Sequence, residues 1–450
     1  MQILLILAVL AALAVAEHAP CQPVSAVGPR LIAAGSSMLV VPLFALVCSG
    51  WVVRRLRRDD RHQGSLLARF RILRRVHVVL WLGVAGFVLY WLDWPRLVRG
   101  NWRLGQTVLL DELLILAPLL VPLVLSWTAF YEVDRAVRAG DERSTRREYL
   151  GLHVRHYLGV SLLPVLGLLA TQDAAELLVP GVLATPYAAV VYVTPIGLLF
   201  LLFPSFLRRL WKTRPLPAGP LRDRLAAAAA RAGFRARDIL IWETNGMVVN
   251  AAVAGFLPRL RYVFLSDALL ARLTNEEVEA VFGHEMGHVT HRHLGLRVLA
   301  MLPPLTLYLS LEQLSPGMAA STLFGGGGHI AGALLVLALM AVYLLVVFGA
   351  YSRLLESQAD LAGCRLAVAD GQRPSTEVFT SALEKLAAAG GVNRRTPGWQ
   401  HASVARRVDF LSRAAREPRL GRRFECLLGW LNRLLLAAAL GPLGFLLFSG

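Results

Sequence analysis

Long apolar stretches that end in arginines recur along most of this chain. A helix needs about 20 apolar residues to cross a bilayer, so these stretches predict membrane spans. Clear spans are predicted at 31–53, 76–94, 108–131, 188–207, 330–351 and 427–448.

Three shorter apolar stretches do not by themselves predict a complete membrane span. Residues 157–170 predict either a tilted span or half of a hairpin with 177–183, and 296–311 predicts one side of a second hairpin with 330–351. Residues 4–16 precede Glu17 and resemble a signal-peptide core, so they predict either a cleaved signal or a retained first span. About seven to nine spans are expected in total.

The composition supports a membrane protein, with 56% hydrophobic and 17% charged residues. The net charge of +17 comes almost entirely from arginines, which cluster at the ends of apolar segments. That placement indicates membrane topology and argues against nucleic-acid binding. The basic loops at 54–75 and 135–155 are therefore predicted to be cytoplasmic. Four scattered cysteines without a CxxC pair indicate neither a disulfide framework nor a cysteine zinc site.

Two polar regions lie between the spans, at about 208–293 and 352–423. The first predicts a mixed helix and strand fold. Its predicted elements are a helix at 221–232, strands at 238–243, 247–254 and 261–266, and a helix that begins after Thr274. Thr274 and Glu277 have the spacing of a capping box, which marks a helix start.

The predicted second helix carries the sequence His284-Glu285-Met286-Gly287-His288. Histidines four residues apart lie on one face of a helix and can share a metal ion. Glu285 is adjacent to the first histidine, where a carboxylate can accept a proton from a metal-bound water. The spacing therefore predicts a zinc hydrolase site. The alternative is a helix with two solvated histidines.

A catalytic zinc site needs a third protein ligand. Glu356 is the best candidate because the span at 330–351 would lead it back beside the helix that carries the two histidines. Asp360 lies four residues later, on the same face, where it could accept a hydrogen bond from a ligand histidine. By position alone, Glu356 could also be an ordinary acidic residue at a helix end. His291 and His293 are the alternative ligands, although polar residues at the membrane interface are the preferred interpretation of both.

The order of these motifs resembles an integral-membrane zinc metalloprotease family, which includes the heat-shock protease HtpX and the type I CAAX prenyl proteases. The resemblance rests on HExxH, a transmembrane hairpin, and then Ser352-Arg353…Glu356…Ala359-Asp360. It covers about residues 215–411. It implies one zinc ion per chain, with Glu356 as its third ligand.

The resemblance also implies roles for two other segments. Asn250-Ala251 is similar to the family's substrate-binding edge strand. His401 and Arg407 resemble a C-terminal pair that stabilises the oxyanion. Ser357, Ala402 and Gly283 depart from the residues usual in the family, and none of these changes removes a catalytic group.

The predicted fold class is mainly α: a multi-span helical membrane protein with a small zincin-like α+β metalloprotease domain on the cytoplasmic side. The predicted domains are 1–16 (signal or first span), 17–207 (multi-span region), 208–426 (metalloprotease domain interrupted by a transmembrane hairpin at about 296–351) and 427–450 (C-terminal span).

The predicted function is zinc-dependent endopeptidase, acting on peptide or protein substrates in membrane-protein quality control. The alternatives are a processing protease of the CAAX type and a non-catalytic metal-binding membrane scaffold. The arginine-rich, lysine-poor composition favours a bacterial inner membrane as the location, with the active site facing the cytoplasm. The expected partners are substrate and lipid bilayer, without nucleic acid.

Overall fold

The structure is a computed structural model. It describes residues 2–20, 22–58, 63–104, 107–137, 144–304, 306, 335, 338–366, 375–389 and 393–448. The chain divides into two compact units, Met1–Phe200 and Leu201–Gly450.

The fold is mainly helical, as predicted. Among the described residues, six helices are long and apolar enough to cross a membrane: Val27–Leu56, Gly64–Trp91, Arg146–Leu178, Ala188–Leu210, Ala338–Leu366 and Pro418–Gly441. Most of the predicted hairpin at 296–351 lies outside the described residues. The protein is therefore a multi-pass integral membrane protein.

Helices α1 to α9 make up the first unit, and the last of them continues into the second. They are α1 Gln2–Glu17, α2 Val27–Leu56, α3 Gln63–Gly86, α4 Trp94–Arg96, α5 Leu110–Ile115, α6 Ala117–Val137, α7 Arg146–His153, α8 Val160–Leu178 and α9 Ala188–Leu210. The short stretch predicted at 157–170 is thus the middle of a longer helix. Its two halves, α7 and α8, are joined by a π-helical turn at Val154–Gly159.

The single span predicted at 108–131 is wrong, because the helix breaks between α5 and α6. Pro118 has no N–H to continue the hydrogen-bond ladder, which favours a break at the preceding residues. Asp111 and Glu112 at this break are buried, and Arg99 lies 2.9 Å from the Asp111 carboxylate. Arg99 therefore neutralises buried charge.

The second unit contains a four-stranded sheet with strand order β1-β2-β4-β3. The strands are β1 Thr213–Pro215, β2 Asp238–Trp242, β3 Ala251–Ala254 and β4 Tyr262–Ser266. β2 and β4 are parallel, whereas β1 and β3 run antiparallel to their neighbours. Three of these strands were predicted. β1 was not predicted, because Pro215 and the prolines that follow it at 217 and 220 indicate a linker.

The helices of the second unit surround this sheet and one another. They are α10 Pro220–Arg231, α11 Asp267–Arg272, α12 Asn275–Thr290, α13 His293–Leu299, α14 Gly349–Leu366, α15 Ser375–Ala389, α16 Val404–Arg416 and α17 Pro418–Phe448. The apolar face of α12, with Phe282 and Met286, packs on Val263 and Leu265 of β4. Burial of these side chains fixes α12 against the sheet.

Helix α12 begins where the sequence predicts. The Thr274 side chain accepts a hydrogen bond from the Glu277 backbone, and the Glu277 carboxylate accepts one from the Thr274 backbone. Glu277 also contacts Lys385 at 2.8 Å, which ties α12 to α15. The start and the orientation of the helix are thereby fixed.

Helices α12 and α14 pack closely along a seam of small residues. A Cβ placed on Gly287 would lie 2.8 Å from Cβ of Ala362, and one on Gly363 would lie 3.1 Å from the His284 backbone nitrogen. Gly283 faces Gly363 in the same seam. The close approach of the two backbones brings the histidines of α12 within reach of Glu356 on α14, and it gives Gly283 a packing role.

Gly287→Ala is expected to destabilise the second unit by about 1–3 kcal/mol, because the added methyl group overlaps Ala362. The measurement is the free energy of unfolding of the purified protein in detergent. Gly295→Ala is the matched control, since its new Cβ would meet nothing within 4 Å. The control is expected to be stabilising by ~0.5–1 kcal/mol. Equal effects of the two changes would contradict the packing argument.

Candidate metal centre

His284, His288 and Glu356 meet at the centre of the second unit. Their candidate ligand atoms all lie within 4.8 Å of one another. Nε2 of His284 and Nε2 of His288 are 3.2 Å apart. The Glu356 carboxylate oxygens lie 3.5 Å from Nε2 of His284 and 3.6 Å from Nε2 of His288. The structure therefore brings together the three residues that the sequence proposed as ligands.

This arrangement fits a tetrahedral zinc ion. Zinc–ligand bonds of about 2.0–2.1 Å place neighbouring ligand atoms about 3.3–3.4 Å apart, close to the spacings seen here. Oε2 of Glu356 is buried without a well-aligned hydrogen bond. Such an atom is costly unless a cation or donor satisfies it. Two imidazoles and one carboxylate are also the donor set of many zinc hydrolases.

Glu285 lies beside these donors, under the sheet edge. Its carboxylate is half-buried and receives a hydrogen bond from the backbone of Val253 on β3. Burial raises the pKa of Glu285 to about 7, and the nearby Glu356 carboxylate adds to this shift. A carboxylate with such a pKa can both accept and release a proton near neutral pH.

Asp360 lies directly behind His284, with its Oδ1 atom 2.9 Å from Nδ1 of the ring. This contact orients the ring so that Nε2 faces the centre. Burial opposes protonation of His284, but the carboxylates of Asp360 and Glu356 outweigh it and raise the pKa of the ring to about 10. A cation in the centre competes with that proton.

Arg407 contacts the Asp360 carboxylate through two nitrogens of its guanidinium. Its Nε and Nη2 atoms donate to the two oxygens of Asp360 at 2.8 and 2.6 Å. The guanidinium therefore supports the Asp360–His284 pair. Because Asp360 is 1% exposed, its charge needs this partner. Arg407 thus orients Asp360, and its role at the oxyanion stays a prediction.

His293 is fully buried and lies behind His288, so it is not an exposed polar residue. Its Nδ1 atom is 2.8 Å from Nδ1 of His288, and its Nε2 atom is 3.0 Å from Oε1 of Gln358. It is placed there by the chain turn at Arg292, whose φ is 56°. No helical spacing reveals this contact, because the left-handed residue Arg292 lies between the two histidines.

The hydrogen-bond partners fix which nitrogen carries each proton. Because the Gln358 oxygen can only accept, Nε2 of His293 donates to it. Burial lowers the pKa of His293 to about 4, so the neutral ring accepts at Nδ1 from Nδ1–H of His288. Nε2 of His288 is then a bare lone pair that faces the metal centre.

His293→Phe is expected to weaken zinc binding by roughly 10–100-fold, since it leaves Nδ1–H of His288 without an acceptor. Zinc affinity is measured by competition with a chromogenic chelator. His291→Phe is the matched control, because the ring of His291 lies near Thr290 and the Gly287 carbonyl and makes no hydrogen bond to a metal donor among the described residues. An unchanged zinc affinity in the His293 variant would exclude this orienting role.

Two nitrogen-bearing side chains approach the Glu356 carboxylate. Nη2 of Arg297 donates to Oε1 at 2.7 Å, and Nδ1 of His401 lies 2.9 Å from Oε2 without hydrogen-bond alignment. The His401 side chain is 54% exposed, so it lies at the open side of the centre. Arg297 was not singled out in the sequence, because its role depends on contact between α13 and α14.

Asn250 and Ala251 lie at the start of β3, as the resemblance implies. The Asn250 carbonyl accepts from the Ser266 backbone, and its N–H donates to the Ser266 side chain. Within the described part of the chain, the other edge of β3 has no strand partner. That edge lies on the Glu285 side of the sheet and offers backbone groups to an extended peptide.

Comparison with known proteins agrees with this geometry. Residues 215–415 match the profile described as "Peptidase family M48". This part of the chain is similar to peptidase family M48. The M48 region includes the metal donors, Glu285, and the positions of His401 and Arg407.

Curated relatives of the M48 region carry the name HtpX. The chain is 32% identical over 169 residues to "Protease HtpX homolog" of Pyrobaculum calidifontis, covering 36% of this chain and 47% of the relative. It is 29% identical over 179 residues to "Protease HtpX" of Xanthomonas axonopodis pv. citri, covering 38% and 58%. The chain thus spans about half the length of the curated relatives it matches.

One solved structure resembles a larger part of the chain. The crystal structure of S. mikatae Ste24p matches with a TM-score of 0.53 at 16% identity, covering 83% of this chain and 98% of that protein. At this identity the likeness shows the fold. The Ste24p-like fold extends beyond the M48 region into the membrane helices.

Proposed function

We propose that this protein is a zinc-dependent endopeptidase of the membrane, with its active site at His284, Glu285, His288 and Glu356. The observation that carries the proposal is the position of Glu285. Its carboxylate lies next to three metal donors and under the free edge of β3, where the carbonyl of a bound peptide would lie. A site that only bound metal would have no use for a carboxylate there.

The three donors would hold one zinc ion, which supplies a Lewis acid and makes water at the site more acidic. Glu285 accepts a proton from the attacking water and passes it to the leaving amine. Asp360 and His293 hold the rings of His284 and His288 in the orientation that the ion requires. Arg407 in turn holds Asp360.

The chain's own backbone would position the substrate. An extended peptide can pair with β3 from Asn250 onward, so binding depends on backbone hydrogen bonds more than on substrate sequence. His401 lies at the open side of the centre, where it can donate a hydrogen bond to the developing negative charge on the carbonyl oxygen.

For the substrate class, we propose membrane proteins handled in quality control. The HtpX names of the curated relatives support this choice. The Ste24p-like fold supports the second candidate, a processing protease of the CAAX type. We also propose that the active site faces the cytoplasm of a bacterial cell. The arginine-rich loops support the orientation, and the lysine-poor composition supports the bacterial source.

Removal and return of zinc tests the reaction class. The full chain in lipid nanodiscs is stripped with a chelator, and cleavage of an unfolded protein substrate is followed by mass spectrometry. Cleavage is expected to stop and to return with zinc but not with magnesium, because imidazole ligands favour zinc. Cleavage that continues in fully stripped protein would contradict the proposal. The C-terminal or internal position of the cut sites separates the two candidate substrate classes.

A further inference from the structure

Two loops at one end of the sheet are locked together by a buried arginine. The guanidinium of Arg261 donates to the carbonyls of Arg235 at 2.8 Å, Gly255 at 3.0 Å and Phe256 at 2.6 Å. Gly255 has a φ of 122°, and a Cβ there would lie 2.7 Å from Cα of Arg261. The loops at 234–237 and 255–261 therefore form one fixed surface, which we call the basic tip.

The basic tip exposes both charge and apolar surface. Arg235, Arg237 and Arg259 are exposed and have no carboxylate partner among the described residues. Phe256 and Leu257 beside them are 45% and 50% exposed. The arginines and Leu257 line an open groove of about 850 Å³. Exposed apolar side chains among cations are typical of surfaces that bind membranes.

The position of the basic tip in the fold places it beside the bilayer. Arg208 in the last turn of the membrane helix α9 stacks on the ring of Tyr262, with its guanidinium carbon 5.5 Å from the ring centroid. Arg237 stacks on the same ring at 5.9 Å. Arginines at the end of a span lie at the level of the lipid headgroups. Arg237 is therefore held close to that level as well.

We propose that the basic tip binds the phosphate groups of anionic phospholipids and inserts Phe256 and Leu257 into the headgroup layer. Each arginine near an anionic membrane surface adds electrostatic attraction, and arginine pairs with phosphate in a bidentate geometry. An acidic peptide would also suit the charges. It would leave the two apolar side chains without a partner at the membrane-facing end of the domain, so lipid is the better occupant.

Hydrogen exchange tests this proposal on the full chain. The protein is reconstituted in nanodiscs of phosphatidylcholine alone and in nanodiscs with about 30% phosphatidylglycerol. Backbone exchange is then measured in 234–237 and 255–261. We expect exchange in these loops to slow by roughly tenfold in the anionic nanodiscs. The effect should be smaller at high salt, which screens the attraction.

A matched pair of variants identifies the groups responsible. Arg235→Gln, Arg237→Gln and Arg259→Gln combined should remove the difference between the two lipid compositions. The control combines Arg272→Gln, Arg395→Gln and Arg416→Gln, three exposed arginines that also have no carboxylate partner in the described ranges. The control should keep the difference.

Four results would overturn the proposal. They are equal exchange in both lipid compositions, equal loss of protection in both triple variants, protection produced in phosphatidylcholine by soluble glycerophosphate, and protection produced only by an added acidic peptide. The third result would assign the basic tip to a free anion and the fourth to a peptide. None of these readouts depends on peptidase activity. The lipid-binding proposal is therefore tested independently of the proposed endopeptidase reaction.

Discussion

Glu285→Gln is expected to reduce peptide hydrolysis by about 10²–10⁴-fold while zinc binding is retained. Glutamine keeps the size of the side chain and its contact with β3, but it cannot accept the proton of the attacking water. Hydrolysis is measured on an unfolded protein substrate, and zinc content by elemental analysis of the same preparation. The two measurements separate loss of the base from loss of the metal.

Glu276→Gln is the control for this experiment. Glu276 lies on the same helix, but its carboxylate pairs with Arg224 at 2.9 Å, away from the metal donors. Its replacement should leave hydrolysis unchanged. If the Glu285 variant cleaves at the wild-type rate with full zinc content, the proposed mechanism is wrong.

Glu356→Ala is expected to lower zinc affinity by roughly 100-fold or more, and hydrolysis should fall with the zinc content. The change removes one of three protein donors and leaves Arg297 without its carboxylate partner. Zinc affinity is measured by chelator competition, and folding is checked by thermal unfolding. Added zinc should restore little activity, because two histidines alone hold the ion weakly.

Ser357→Ala serves as the neighbouring control. Ser357 follows Glu356 on α14, and its hydroxyl donates only to the Arg353 carbonyl of the same helix. Its replacement should preserve zinc affinity. A Glu356 variant that binds zinc as tightly as wild type would show that this residue is not a zinc ligand. It would favour the alternative ligands, His291 and His293.

Local signals in the sequence predicted the parts of the site that depend on one helix. The Thr274–Glu277 capping box fixed the start of α12, and the spacing of His284 and His288 placed both rings on one face. These features follow from helix geometry, which a sequence displays directly. Glu356 needed more information, since its approach depends on where α14 packs. The resemblance to known metalloproteases supplied it.

Contacts between distant elements were the parts that the sequence could not supply. The role of His293 depends on the left-handed turn at Arg292, and that of Arg407 depends on how α16 meets α14. Neither has a periodic signature. The pairing of Asp111 with Arg99 is of the same kind, because a sequence shows a carboxylate near a span end without showing its arginine partner.

The helix that carries Glu356 is also part of a candidate membrane span, Ala338–Leu366, in which a π-helical segment at Tyr343–Phe348 precedes α14. Donor positions in a zinc site tolerate displacements of only about 0.2 Å. With zinc bound as proposed, an axial shift or a tilt of this span, such as a change in local lipid thickness produces, would move Glu356 relative to His284 and His288. Retention of the ion would then depend on the thickness of the surrounding membrane as well as on the chemistry of the donors.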